Sequence, residues 1–162
     1  MSDQVWKAGQ VKRCHTLMNS IPATVASHSW GVAMLILAHY RDAAGPRLLH
    51  AALTHDLGEY FVGDIPAPAS WTMRDDVRQS IKKMEAEALV NLIDDNPMAY
   101  LTEYEDAILK WADMEEFRIH MQAEVDAGNF HCLDALRNAE QACKERRGVI
   151  RIIERGQTTR TG

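Results

Sequence analysis

Apolar residues along this chain recur at intervals of three and four, and almost nowhere at intervals of two. Such a pattern buries its apolar side by packing helix on helix, not by pairing strands. Proline and glycine divide it into segments. The spacing predicts a first helix over residues 5–17, a loop over 19–23 with Pro22, and a second helix capped by Thr24 and running to about Arg41. Gly45-Pro46 then places a proline at the first position of a third helix, which reaches about Tyr60 with Leu48, Leu49, Ala52 and Leu53 on its apolar side. Residues 62–70 hold Gly63, Pro66 and Pro68 and read as a loop. A fourth helix covers residues 74–95, with Val77, Ile81, Met84, Ala88 and Ile93 at helical spacing. After Asn96-Pro97, a fifth helix spans 103–126 and stops near Gly128. A sixth spans 130–154, with Gly148 as a weak point. The expected fold is all-α: a compact bundle of five to six helices in a single domain over residues 1–156, followed by a polar tail over 157–162.

Composition narrows the class. With 46% hydrophobic and 25% charged residues, the 162-residue chain is an ordinary globular one. No apolar run reaches the roughly 18 residues that span a bilayer, and residues 1–13 lack a signal-peptide core, so the expected location is the cytoplasm and no membrane partner is expected. Cys14, Cys132 and Cys143 form no C-x-x-C pair and read as reduced thiols. A net charge of −5 argues against a duplex nucleic-acid partner but leaves room for a small anionic substrate.

Ionisable groups then fall where a core face is expected, and buried charges need a partner or a metal. Asp113 has Leu109 and Phe117 four residues to either side, placing it on the inward stripe of the fifth helix. An ion pair with Lys110 or Arg118 is the alternative. His55 and Asp56 follow Ala51, Ala52 and Leu53, with Glu59 on the same side. A His-Asp pair alone is weak evidence. His28 faces inward between Val25 and Val32, where a lone histidine is more often a satisfied core residue than a ligand. Together these four form a mixed imidazole–carboxylate set suited to zinc, cobalt, manganese or iron. A metal so held polarises a phosphoryl oxygen and acidifies water. Glu59 and Asp64 can handle protons. Arg13, Lys110, Lys82 and Lys83 can meet a phosphate, although Lys82-Lys83 reads better as solvated surface.

The run from His55 to Pro68, His-Asp-Leu-Gly-Glu-Tyr-Phe-Val-Gly-Asp-Ile-Pro-Ala-Pro, resembles the signature of HD-domain phosphohydrolases of the 5′-deoxynucleotidase-like branch. Residues 24–34 resemble that family's first ligand helix, and Leu109-Lys110-Trp111-Ala112-Asp113 resembles its last ligand motif. Arg13-Cys14-His15-Thr16 resembles the opening of the subgroup that includes phage dATP triphosphohydrolases. The resemblance implies an all-α HD-domain fold with His28, His55, Asp56 and Asp113 as ligands of a divalent metal (Zn, Co or Mn, with Mg as a second ion). It implies Glu59 and Asp64 as catalytic residues, and Arg13, Cys14, His15 and Lys110 as substrate-binding residues. It also implies hydrolysis of the 5′-phosphoester of a small-molecule deoxynucleotide, leaning to dATP and release of triphosphate, with deoxynucleoside monophosphates as the alternative. Members form dimers or larger rings, so a homo-oligomer, dimer or hexamer, is expected, in the host cytoplasm if the protein is phage-encoded. The chain departs from the family pattern at Cys14, where an aromatic residue crowds the sugar, at Ser70, where a lysine is common, and at Ser27, where a glutamate is usual. A non-catalytic nucleotide-binding module and a di-iron oxygenase using His15 and His50 are the other classes. A plain helical interaction protein would leave the inward ionisable groups unexplained. Trp6, Trp71 and Tyr100 suit either a subunit interface or the core.

Overall fold

The computed structural model describes residues 2–66, 69 and 72–158; expectations on Ala67, Pro68, Ser70 and Trp71 lie outside the described residues. The helices are α1 (Ser2–Ala8), α2 (Val25–His39), α3 (Pro46–Thr54), α4 (Glu59–Val62), α5 (Asp75–Ile93), α6 (Glu103–Asp126) and α7 (Leu133–Thr158), with 3₁₀ turns at Arg41–Ala43, Pro97–Tyr100 and Phe130–Cys132. Among the described residues there is no strand, only an isolated bridge between Lys12 and Thr24. The all-α expectation is met.

The central core is built where α2, α3, α6 and α7 converge, from Val32, Ile36, Leu48, Ala51, Ile108 and Trp111, with Ile150 closing it. Trp111 is fully buried, with the Tyr40 ring edge-on at 5.2 Å and the Arg147 guanidinium 4.7 Å above it. A smaller cluster of Ala8, Val25, Leu57, Leu89 and Leu92 ties α1 and α5 to the start of α2.

Local chemistry sets the helix ends. Thr24 caps α2 reciprocally with Ser27, so Ser27 serves the cap. Gly45 and Pro46 start α3, and Thr102 with Glu105 forms the capping box of α6. Gly128 takes φ +91° just after α6, a conformation glycine adopts at little cost.

The expected first helix over residues 5–17 is overturned: α1 ends at Ala8. The backbone beyond it bonds to the start of α2, with Ala26 N donating to Gly9 O, Val25 N to Val11 O and Arg13 N to Ala23 O. Two otherwise unpaired N–H groups of the α2 terminus are thereby satisfied, an alternative that a helix through residue 17 would forfeit. Gly9 permits this approach, since a Cβ there would lie 3.1 Å from Ala26 Cβ.

The third helix ends at Thr54, not Tyr60. Leu57, Glu59, Tyr60 and Phe61 N each donate to the carbonyl three residues back, so tighter turns lead from Thr54 into the start of α4. Leu53 is 49% exposed, and on α5 Val77 and Met84 are exposed as well. The buried residues of α5, Ala88, Leu89 and Leu92, all lie in its C-terminal half. The last helix begins at Leu133 behind a 3₁₀ turn and continues through Gly148 and Gly156 to Thr158. Residues 159–162 of the expected tail lie outside the described residues.

Candidate metal and phosphoester site

Three elements deliver the central groups. His28 comes from the first turn of α2, and His55 and Asp56 from the tight turns after α3. One ligand atom from each of these three lies within 4.8 Å of the other two. Asp113, midway along α6, joins through its Oδ1, 3.3 Å from His28 Nε2. Asp56 Oδ2 sits 3.4 Å from Nε2 of both histidines. His28, His55 and Asp56 therefore meet at one place, and Asp113 adjoins them on the His28 side. Asp113 pairs with neither Lys110 nor Arg118, which bond instead to Asp106 and Glu115.

Both imidazoles are oriented from behind. His55 Nδ1–H donates to Ala52 O at 2.9 Å, and His28 Nδ1–H donates to Glu116 Oε2 at 2.5 Å. Each bond fixes the tautomer that points the Nε2 lone pair into the cluster. These Nε2 atoms are buried and have no hydrogen-bond partner among the described residues. Buried lone pairs aimed at carboxylates are costly unless a cation sits between them. The donor set therefore fits a divalent metal of the zinc, manganese or cobalt kind. Electrostatics agree. Burial works against a charge on His28, yet Asp113 and Glu116 raise its pKa to about 9, so positive charge is favoured there. Burial would also raise Asp113, but His28, His55 and Arg13 hold it well below the usual carboxylate range. Its side chain is nonetheless a third exposed, because it lies at the floor of an open cleft.

Around this centre stand the other expected residues. Arg13 bonds to Asp56 and approaches Glu59 Oε1 at 3.5 Å. Burial pushes Glu59 up to about 9, with Asp56 and Asp64 adding to the effect and Arg13 opposing it. Its Oε2 is buried without a hydrogen-bond partner among the described residues. Cys14 takes φ +56°, unusual for a side-chain-bearing residue, and its N–H donates to Asp64 Oδ2 at 3.0 Å. His15 Nδ1 lies 3.5 Å from the same oxygen. Asp64 thus fixes the loop that carries Arg13. Burial pushes the Cys14 thiol up to about 11, so it stays protonated.

Lys110 is not brought to the cluster: it is exposed and bonds to Asp106 at 2.6 Å. Lys82 and Lys83 are exposed on α5, in line with the solvated-surface reading. His50 faces Asp95 at 3.7 Å and adds nothing to the clustered ligand atoms, which removes the geometric basis for the di-iron alternative.

A cavity of about 560 Å³ opens beside the cluster. Arg13, Cys14, Asp64 and Asp113 border it on the cluster side; Leu17, Ile65, Met114 and Phe117 give it apolar walls. That size and mixture suit a small ligand with one apolar part and one charged end.

Three residues escaped the sequence reading. Glu116 lies one turn beyond Asp113 on α6, a spacing that could have flagged it. Arg146 on α7 lines the cavity, 3.7 Å from Asp113 Oδ2. Glu124, fully buried, accepts hydrogen bonds from Ser20 N, Ile21 N, Ser20 Oγ and Asn129 Nδ2, and so pins the loop before α2 to α6.

The chain is similar to known proteins in sequence pattern and in fold. Residues 4–149 match the family described as 5′-deoxynucleotidase YfbR-like, and the chain belongs to this family of HD-domain, metal-dependent phosphohydrolases. Among solved structures, a conserved hypothetical protein from Pyrococcus furiosus shares the fold, with a TM-score of 0.62 and 23% identity over 90% of this chain and 97% of that one. No curated protein matches. No described helix is long and apolar enough to cross a membrane.

Proposed function

We propose that the protein hydrolyses the 5′-phosphoester of 2′-deoxynucleoside monophosphates, with His28, His55, Asp56 and Asp113 holding one divalent metal. The observation that carries this reading is the pair of buried, unpartnered Nε2 atoms facing Asp56 and Asp113, in a chain of the 5′-deoxynucleotidase family. A metal bound there would supply an acidified water and a polarised phosphoryl oxygen. The protein's own groups do the rest. Arg13 orients the phosphate. Glu59, raised by burial, holds a proton for the departing 5′-oxygen. Asp64 keeps the Arg13 loop in place through Cys14 N–H. The apolar wall of Leu17, Ile65, Met114 and Phe117 receives the nucleoside and excludes water.

A second reading, hydrolysis of dATP to deoxyadenosine and triphosphate, rests on the Arg13–Thr16 opening and on a cavity that continues along α7 from Arg146 to Asp134 and on to His131 in the preceding turn. Incubating the manganese- or cobalt-loaded protein with each dNMP, dNTP and ribonucleotide, and resolving products by chromatography, separates the two. Deoxynucleoside plus phosphate, from monophosphates only, is the expected result. Triphosphate released from dATP would favour the second reading, and binding without turnover would leave a nucleotide-binding module. Assembly as a homo-oligomer in the cytoplasm belongs to the same proposal. Trp6 and Tyr100 are 68% and 61% exposed, so they do not close the core and are available to a partner subunit.

A further inference from the structure

The cations around the cavity are unequally available. Arg13 is committed to Asp56 and Glu59. Lys110 faces Asp106, away from the cluster. Arg146 is different. It projects from α7, on the helical face that also presents Ala135, Asn138, Ala139 and Ala142 to the cavity. Its side chain is about a third exposed (34%), so a ligand can reach it. Among the described residues both of its polar contacts come from Nη1, to Lys110 O and to Asp113 Oδ2 at 3.7 Å. A guanidinium carries five N–H donors in a rigid fork, so Nε and Nη2 can still meet a second oxyanion. Asp113 in turn offers Oδ1 to the His28 side and Oδ2 to Arg146, which places the guanidinium at the rim of the ligand cluster.

We propose that Arg146 is a second phosphate-binding residue, gripping substrate phosphate oxygens from the α7 side while Arg13 grips them from the loop side. The inference rests on the reading of the cluster as a metal-phosphoester site. Charge supports it. The cavity is bordered by Asp64, Asp113 and Asp134, and a phosphate dianion entering beside them needs a second cation besides Arg13, whose charge Asp56 and Glu59 already offset in part. Arg146, farther from its single carboxylate neighbour than Arg13 is from Asp56, meets that need.

The test uses inorganic phosphate as the probe and needs no turnover. Calorimetry measures its Kd on the manganese-loaded wild type, Arg146→Ala and Arg146→Lys, and a separate titration measures the manganese Kd of each. Arg146→Ala is expected to weaken phosphate about tenfold, with manganese affinity changed by less than about twofold. Arg146→Lys should fall between, since lysine keeps the charge and loses the fork. Where wild type turns over a deoxynucleotide, Arg146→Ala should raise KM more than it lowers kcat. If phosphate affinity is unmoved in Arg146→Ala, or manganese and phosphate affinities fall together, Arg146 merely supports Asp113 and the proposal is overturned. Arg146-dependent phosphate binding by a protein that hydrolyses no deoxynucleotide would sustain this inference while removing the deoxynucleotidase reading.

Discussion

Glu116 stands directly behind His28, its Oε2 2.5 Å from the imidazole Nδ1, and the approach runs past Gly31, where a Cβ would meet Glu116 Cγ at 2.8 Å. A small residue on α2 and an acid on α6 together set the orientation of one proposed metal ligand. Outer carboxylates of this kind typically carry 10- to 100-fold of metal affinity. Glu116→Ala should therefore weaken manganese binding by at least about tenfold. Near-unchanged far-UV circular dichroism would show that the helices persist. An unaltered manganese Kd would remove Glu116 from the site.

Glu59 is the group expected to move the proton, and it is not among the four ligands. Glu59→Gln keeps shape and removes the transferable proton. The expected outcome is a fall in kcat of roughly 10²-fold or more, with metal still bound at one equivalent. Measuring metal content and kcat on the same sample checks both halves. Loss of the metal along with activity would instead make Glu59 part of the ligand set.

Gly58 sits in the turn that carries His55 and Asp56, and a Cβ there would come within 2.3 Å of Glu85 O on α5. Backbone, not a movable side-chain tip, is in the way. Gly58→Ala should cost about 1–3 kcal/mol of stability. That amounts to a Tm fall of roughly 2–10 °C in a chain of this size. The turn should also loosen, and metal affinity fall with it. Thermal unfolding without and with manganese reads both effects.

How far the sequence reveals this architecture depends on whether a residue's partners are local. The bounds of α6, residues 103–126, can be read from periodicity because its cap, acidic first turn and closing glycine are neighbours in sequence. The four proposed ligands are legible as ionisable groups on inward faces; His28, His55 and Asp56 cluster, and Asp113 adjoins them through His28. Residues 9–13 mislead, because their backbone partners lie on α2 and no local pattern announces them. The turn at His55 and Asp56 is tightened by the approach of α5 at Gly58, also a distant partner. Glu116, Glu124 and Arg146 sit on helices rich in charge, where an acid or a base reads as solvated surface until the opposing element is known. Lys110 shows the converse: its motif suggests the site, but Asp106 one turn back captures it.

The Glu124 clamp has a pH signature. Burial favours its neutral form, but the donors from Ser20, Asn129 and Ile21 lower its pKa from 4.5 to about 2. A folded pKa below the unfolded one stabilises the fold above the unfolded value, and that contribution is lost as pH falls from about 4.5 toward about 2. Glu124→Ala leaves several part-buried donors unpaired and should cost about 1–3 kcal/mol near neutral pH. The difference in stability between wild type and Glu124→Ala should then shrink on acidification through that window. Urea unfolding at stepped pH values measures it, and a difference independent of pH would show that the carboxylate charge is not what holds the loop.

One measurement bears most directly on the claim that this is a metal-dependent deoxynucleotide phosphohydrolase. The protein is stripped with a chelator and reloaded stepwise with manganese. Bound metal and deoxynucleoside release from dAMP and dATP are read in the same sample, with Asp56→Ala alongside. If the cluster works as described, release vanishes on stripping, returns in proportion to metal up to one equivalent at the His28–His55–Asp56–Asp113 centre, and is absent from Asp56→Ala. Full metal occupancy with no release from any deoxynucleotide, or release that survives both stripping and Asp56→Ala, would contradict it.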